Sequence, residues 1–176
     1  MTTEHVVLVG LMGTGKTTVG KRVARELGRR FVDSDAEIEG LHGRSVRDIF
    51  ESSGEPAFRK IESGLLEQLL ASDVAVVLAT GGGVVLAERN RRLLKQTRHV
   101  VWLRAEVGTL ESRLRATKGL ARRPLLDGDL RQRLEVLSYE RGDLYREVAT
   151  SIIDVDGLDS DQVCDLVLDR VGGSER

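Results

Sequence analysis

The sequence predicts an α/β fold: one five-stranded parallel sheet flanked by helices on both faces, with a mobile lid. Two observations carry the prediction. The apolar run Val6-Val7-Leu8-Val9 leads straight into Gly10-Leu11-Met12-Gly13-Thr14-Gly15-Lys16-Thr17, a glycine-rich turn with the spacing that joins a buried strand to a helix around a bound phosphate. Behind it, short apolar runs alternate with helix-period stripes to the end of the chain, as strands linked by right-handed helical crossovers do. The 176 residues, 40% apolar and 31% charged, suit one domain over 1–176, without linker, internal repeat or low-complexity segment.

Each element follows from local pattern. Val6 to Val9 is uniformly apolar because a parallel strand is covered on both faces. Val19, Val23 and Leu27, at four-residue steps, form the stripe of the first helix, and Gly28 stops it. Arg30 to Asp33 is the second strand. A helical turn over Ala36 to Leu41 ends at Gly43. Ser45 caps a short helix holding Val46, Ile49 and Phe50. Glu55-Pro56 opens a longer helix, since Pro is tolerated in a first turn, with Phe58, Ile61, Leu65 and Leu69 on one face. Val74 to Ala79 is the third strand and runs into Gly81-Gly82-Gly83. A helix over Leu86 to Leu94, a strand over His99 to Leu103 and a helix around Leu110 to Leu114 follow. The basic, polar stretch from Arg115 to Asp129 reads as a mobile loop. A long helix over Leu130 to Val148, a strand over Ser151 to Ile153 and a final helix striped with Val163, Leu166, Val167 and Val171 complete the chain.

Composition excludes several function classes. A net charge of −1 supplies no global field for nucleic acid. One Trp and two Tyr are too few for base-stacking platforms, and Trp102 reads as core. His5, His42 and His99 lack zinc-ligand spacing and read as surface or strand-edge residues. The single Cys164 reads as a small core residue, which rules out an internal disulfide. No stretch is long enough to span a bilayer, and Met1 to His5 lacks the basic-then-apolar pattern of a signal peptide. The expectation is a cytoplasmic monomer with neither nucleic acid nor membrane as partner.

The chemistry-bearing residues start with the phosphate loop. Its amides and the positive end of the following helix face one cup, Lys16 reaches outer phosphates, and the Thr17 hydroxyl suits Mg²⁺. Asp33 and Asp35 stand where ligands bind in open parallel sheets, beyond a strand's carboxyl end. One suits the water shell of a metal and the other a proton from an attacking hydroxyl. Spacing does not say which does which, and a helix cap is the plainer reading of the pair. Gly81 to Gly83 implies either close backbone approach to a ligand or a tight turn. Arg59, with Glu62 three residues on to hold it, Arg122 and Arg123 in the loop, and Arg141 suit carboxylates or a transferring phosphoryl group. Each alone reads as a solvated surface residue.

Taken together, Gly10 to Thr18, Asp33-Ser34-Asp35, Phe58-Arg59, Gly81-Gly82-Gly83, Arg123-Pro124-Leu125-Leu126 and Arg141 with Leu144-Tyr145 resemble shikimate kinases over essentially the whole chain. The resemblance implies a P-loop kinase of the nucleoside-monophosphate-kinase type that moves the ATP γ-phosphate to the 3-hydroxyl of shikimate, with Mg²⁺ as cofactor. It implies a phosphate loop at 10–17, substrate-binding helices at about 34–62 and a lid at about 115–129. ATP would meet Gly13, Thr14, Gly15, Lys16, Thr17, Thr18 and Arg123. Thr17 and Asp33 would hold the metal. Asp35 would bind the substrate hydroxyls and act as base. Arg59 and Arg141 would clamp the carboxylate, Gly81, Gly82 and Gly83 would contact ring hydroxyls, and Val46, Phe50 and Phe58 would form an apolar wall. Lys16, Asp35 and Arg123 would be catalytic. Either Arg113 or Arg115 would stack on adenine, beside a loop at Asp154 to Gly157. One departure is Asp143, where the family often has Pro; pairing with Arg141 would weaken that clamp. The alternatives are a sugar-acid kinase such as a gluconate kinase, and a nucleotide-dependent switch without a small acceptor.

Overall fold

The structure, a computed structural model, describes residues 4–117 and 129–172. Five parallel strands form one sheet: β1 (Val6–Val9), β2 (Arg30–Asp33), β3 (Val76–Ala79), β4 (His99–Arg104) and β5 (Ser151–Asp154), in spatial order β2-β3-β1-β4-β5. The helices are α1 (Lys16–Glu26), α2 (Ser34–His42), α3 (Val46–Leu70), α4 (Glu88–Lys95), α5 (Val107–Ala116), α6 (Leu130–Val148) and α7 (Ser160–Gly172), with a 3₁₀ turn at Val84–Leu86. Alternation along β1 shows why its sequence is apolar throughout. Val7 and Val9 join a core with residues of α3, α4 and α6; Val6 and Leu8 join a second core with α1 and α7. Each face of the sheet thus has its own hydrophobic layer, and a polar residue anywhere in β1 would lie inside one of them.

Local signals set most boundaries. Leu27 is the C-cap of α1 and Gly28 follows at φ 61°. Ser45 and Asp48 form a reciprocal capping box at the start of α3. α3 is interrupted at Gly54 (φ 81°, ψ 165°), so Val46 to Ser53 and Glu55 to Leu70 are separate helical segments, with Pro56 in the first turn of the second. The expected β3 is two residues too long, for Val74 is largely exposed. α2 starts two residues earlier than its pattern suggests, because Asp33 caps it. Trp102 and Cys164 are core residues as expected.

His5 and His99 correct the sequence reading, since both are buried. His5 precedes β1 and His99 opens β4, and the turn after α3 reaches His5. There His5 Nε2 reaches Ser72 O at 3.2 Å and Nδ1 accepts from the Val76 amide at 3.4 Å. Burial lowers the pKa of both imidazoles. Of the lid expected at 115–129, Arg115 and Ala116 finish α5; residues 118–128, including Arg123, lie outside the described residues. No helix among the described residues is long and apolar enough to cross a membrane.

Candidate active site

β1 and β3 are neighbours, and their carboxyl ends emit the phosphate loop and the triple glycine side by side. Gly15 caps α1 at φ 93°, a left-handed conformation that a side chain would strain, and no side chain caps the helix. The first amides of α1 are therefore left for an anion. Thr14 is buried, its hydroxyl donating to Leu11 O at 2.9 Å. Lys16 Nζ donates to Gly10 O at 2.8 Å and Leu11 O at 2.9 Å, holding the ammonium over the loop. Gly13 to Thr18 line a cavity of about 660 Å³.

Asp33 fulfils both readings of the acidic pair. One oxygen accepts from the Asp35 and Ala36 amides at 3.1 and 3.2 Å, capping α2; the other accepts from the Thr17 hydroxyl at 2.6 Å. Two hard oxygens side by side next to a phosphate cup suit Mg²⁺, which takes one or two carboxylates and completes its shell with phosphate and water. Among the described residues no group of three or more His, Cys, Asp or Glu forms an all-protein cage, as such a site requires none. Asp35 is different. Its Oδ1 is buried without a partner. Burial, then the Asp33 charge, raises its pKa, while Lys16 and Arg59 pull it back.

A second cavity of about 590 Å³ adjoins the first, and Met12, Thr17, Asp33, Asp35, Gly81 and Gly82 line both. Two arginines reach it from different helices. On α3, Arg59 bonds Glu55 at 2.9 Å and Glu62 at 2.9 Å, and its guanidinium lies 5.9 and 5.3 Å from the Phe50 and Phe58 ring centroids. Those rings, 4.8 Å apart, form the wall with Val46. On α6, Arg141 is buried with Nε and Nη1 lacking partners. A buried guanidinium with open donors is costly unless an anion completes it.

The triple glycine is explained by what surrounds it. A Cβ on Gly83 would fall 2.2 Å from Arg59 Nη2, and one on Gly81 2.8 Å from Glu62 Oε1 and 3.0 Å from Asp35 Oδ1. One on Gly82 would stand 3.5 Å from Arg141 Nη1. At Gly81 and Gly83 a side chain would displace the Glu62, Asp35 or Arg59 head groups, whereas at Gly82 it would make only ordinary contact. Gly81 N donates to Ser34 Oγ at 2.9 Å, and the Tyr145 hydroxyl donates to Gly82 O.

The structure thus brings Lys16, Thr17, Asp33, Asp35, Arg59, Arg141 and the three glycines to one crevice. Arg113 lines its nucleotide half, donating to Val155 O at 3.0 Å; Arg115 is exposed and pairs with Glu111. The chain facing that half is Leu158 to Ser160, just beyond the expected Asp154 to Gly157, where Asp154 instead pairs with Arg104. Asp143 is exposed while Arg141 is buried, as residues two apart on a helix do not share a face. Sequence reasoning missed the burial of Glu62. Its position three residues after Arg59 was the signal for the contact, but not for a carboxylate pushed by burial to a pKa of about 7. Tyr145 and Ser34 carried no signal of their own.

The comparisons agree with this geometry. The sequence profile of the shikimate kinase family matches residues 12–172. A shikimate kinase of Symbiobacterium thermophilum is 48% identical over 146 residues, 82% of this chain and 83% of that protein. The solved structure of Acinetobacter baumannii shikimate kinase in complex with shikimate superposes with a TM-score of 0.91 at 39% identity, covering 99% of this chain and 96% of that one. A Sinorhizobium meliloti gluconokinase shares the fold, with a TM-score of 0.66 at 18% identity. With the family profile spanning nearly all of its length, the chain belongs to the shikimate kinase family.

Proposed function

We propose that the protein transfers the γ-phosphoryl group of ATP to the 3-hydroxyl of shikimate, releasing ADP and shikimate 3-phosphate on the route to chorismate and the aromatic amino acids. The observation that carries this reading is one crevice with an anion cup at one end, two arginines at the other and Asp35 between them. Gly13, Thr14, Gly15, Lys16, Thr17 and Thr18 hold the phosphates, and Arg113 packs against adenine. Thr17 and Asp33 hold Mg²⁺, which when bound neutralises phosphate charge. Arg59 and Arg141 take the acceptor carboxylate, and Gly81, Gly82 and Gly83 meet the ring hydroxyls. Asp35, ionised, accepts the proton of the attacking hydroxyl; its raised pKa makes it a better base than an exposed carboxylate. Lys16 steadies the transferring group, as does Arg123 from the segment outside the described residues. Such transfers need positioning and charge stabilisation more than covalent catalysis. The reading includes a monomer acting in the cytoplasm.

ATP consumption with shikimate, gluconate, nucleoside monophosphates or water as acceptor tests it. Turnover well above water is expected with shikimate alone; turnover with shikimate no faster than with water overturns the reading.

A further inference from the structure

Glu62 does more than hold Arg59. It is 2% exposed, and its Oε1 has no hydrogen-bond partner. The titratable and charged groups around it are Arg59 on α3, Asp35 on α2, and Arg141 and Tyr145 on α6, with Glu55 beyond Arg59. Burial keeps the Tyr145 phenol neutral. Arg59 and Arg141 then balance Glu62 and Asp35, with Glu55 on the half-exposed outer side of Arg59. An acceptor carboxylate docking on the arginines brings one more negative charge into this enclosed cluster. It must also compete for Arg59, which Glu55 and Glu62 already share. An uncompensated buried charge is expensive.

We propose that Glu62 takes up one proton as the acceptor carboxylate docks, so that acceptor and proton bind together. The idea rests on the acceptor assignment given above. The proton comes from solvent and lands on Oε1, the oxygen without a partner. Oε1 and the equally unpartnered Asp35 Oδ1 lie within 2.8 and 3.0 Å of a single point, the Cβ position of Gly81. A neutral Glu62 puts an O–H donor on this side of the cluster, weakens its hold on Arg59 Nη1 and leaves Asp35 ionised for the hydroxyl. Burial already sets the Glu62 carboxyl near neutrality, at about 7, so the uptake falls in an accessible pH range.

Calorimetric titration of the protein with shikimate, repeated in buffers of different ionisation enthalpy, counts the protons. With Glu62 fully protonated in the complex, uptake is about half a proton per site at pH 7 and close to one at pH 8. Glu62→Gln should bind shikimate with no uptake. Should that variant fail to fold, the wild-type uptake should vanish at pH 5, where Glu62 already carries its proton before shikimate binds. Shikimate binding without proton uptake at pH 7 and 8 overturns the proposal, as does an uptake that persists at pH 5 or in Glu62→Gln. No binding of shikimate at all would instead overturn the acceptor assignment.

Discussion

The two halves of the crevice are built from different materials. The nucleotide half is mostly backbone: a contiguous turn and a helix start, whose amides are fixed by the fold and bear no titratable group. The acceptor half is mostly side chains, collected from α2, α3, α6 and the β3 exit, with four charges buried or nearly so. The backbone donors of the loop carry no protonation state of their own to lose. Buried side-chain charges hold their ligand only while their protonation states and mutual spacing persist. Selectivity for the acceptor is therefore the fragile property of this protein, and nucleotide binding the robust one.

Substitutions in the acceptor half should separate the two. The largest effect is expected for Asp35→Asn, which keeps the shape and removes the base. Turnover should drop by about 10²–10⁴-fold while nucleotide affinity, measured by fluorescence titration, stays near wild type; a matching loss of nucleotide affinity would show that the halves are not separable. Next is Arg141→Ala. Loss of this buried guanidinium should weaken the acceptor complex by about 2–5 kcal/mol, seen as a raised KM for shikimate with little change in KM for ATP. Equal increases in both would contradict the division. The smallest effect is on stability. Between pH 4.5 and about 7 the folded protein keeps a proton on Glu62 that the unfolded chain has released, so stability falls as pH rises through that window. The fall is at most roughly 3 kcal/mol. Urea denaturation at pH 5 and 8 should show a shallower decline in Glu62→Gln than in wild type.

The same contrast governs what could be read in advance. The phosphate loop was legible because its residues are consecutive and each has a backbone reason to be there. The strands were legible because a doubly covered strand has to be apolar along its length. The break near Gly54 was visible too, since Glu55-Pro56 announces a helix start. Arg59 and Arg141 entered the site only through resemblance, and the triple glycine was open to either a ligand or a turn, for nothing in their local sequence says that they converge. Gly81 and Gly83 leave room for guanidinium and carboxylate groups that arrive from other helices. His5 and His99 were misjudged for the converse reason. Their burial comes from chain distant in sequence, as the contact of His5 with Ser72 shows.

The interruption of α3 at Gly54 has a consequence for how the acceptor comes and goes. Behind it, the Glu55–Leu70 segment is rooted by Phe58, Leu65, Leu66 and Leu69 in the main core. Ahead of it, Ile49 is the one buried residue of the stretch that carries Val46 and Phe50, and the Val46 amide is moored to Glu39 Oε1 at 2.9 Å. One jaw of the acceptor vice is thus anchored by four core residues, while the other rests on Ile49, the Phe50–Phe58 contact and the Val46–Glu39 bond beyond a joint. Because Phe50 of this segment lies against the Arg59 guanidinium, the joint at Gly54 sits between the anchored arginine and the less deeply rooted part of its wall.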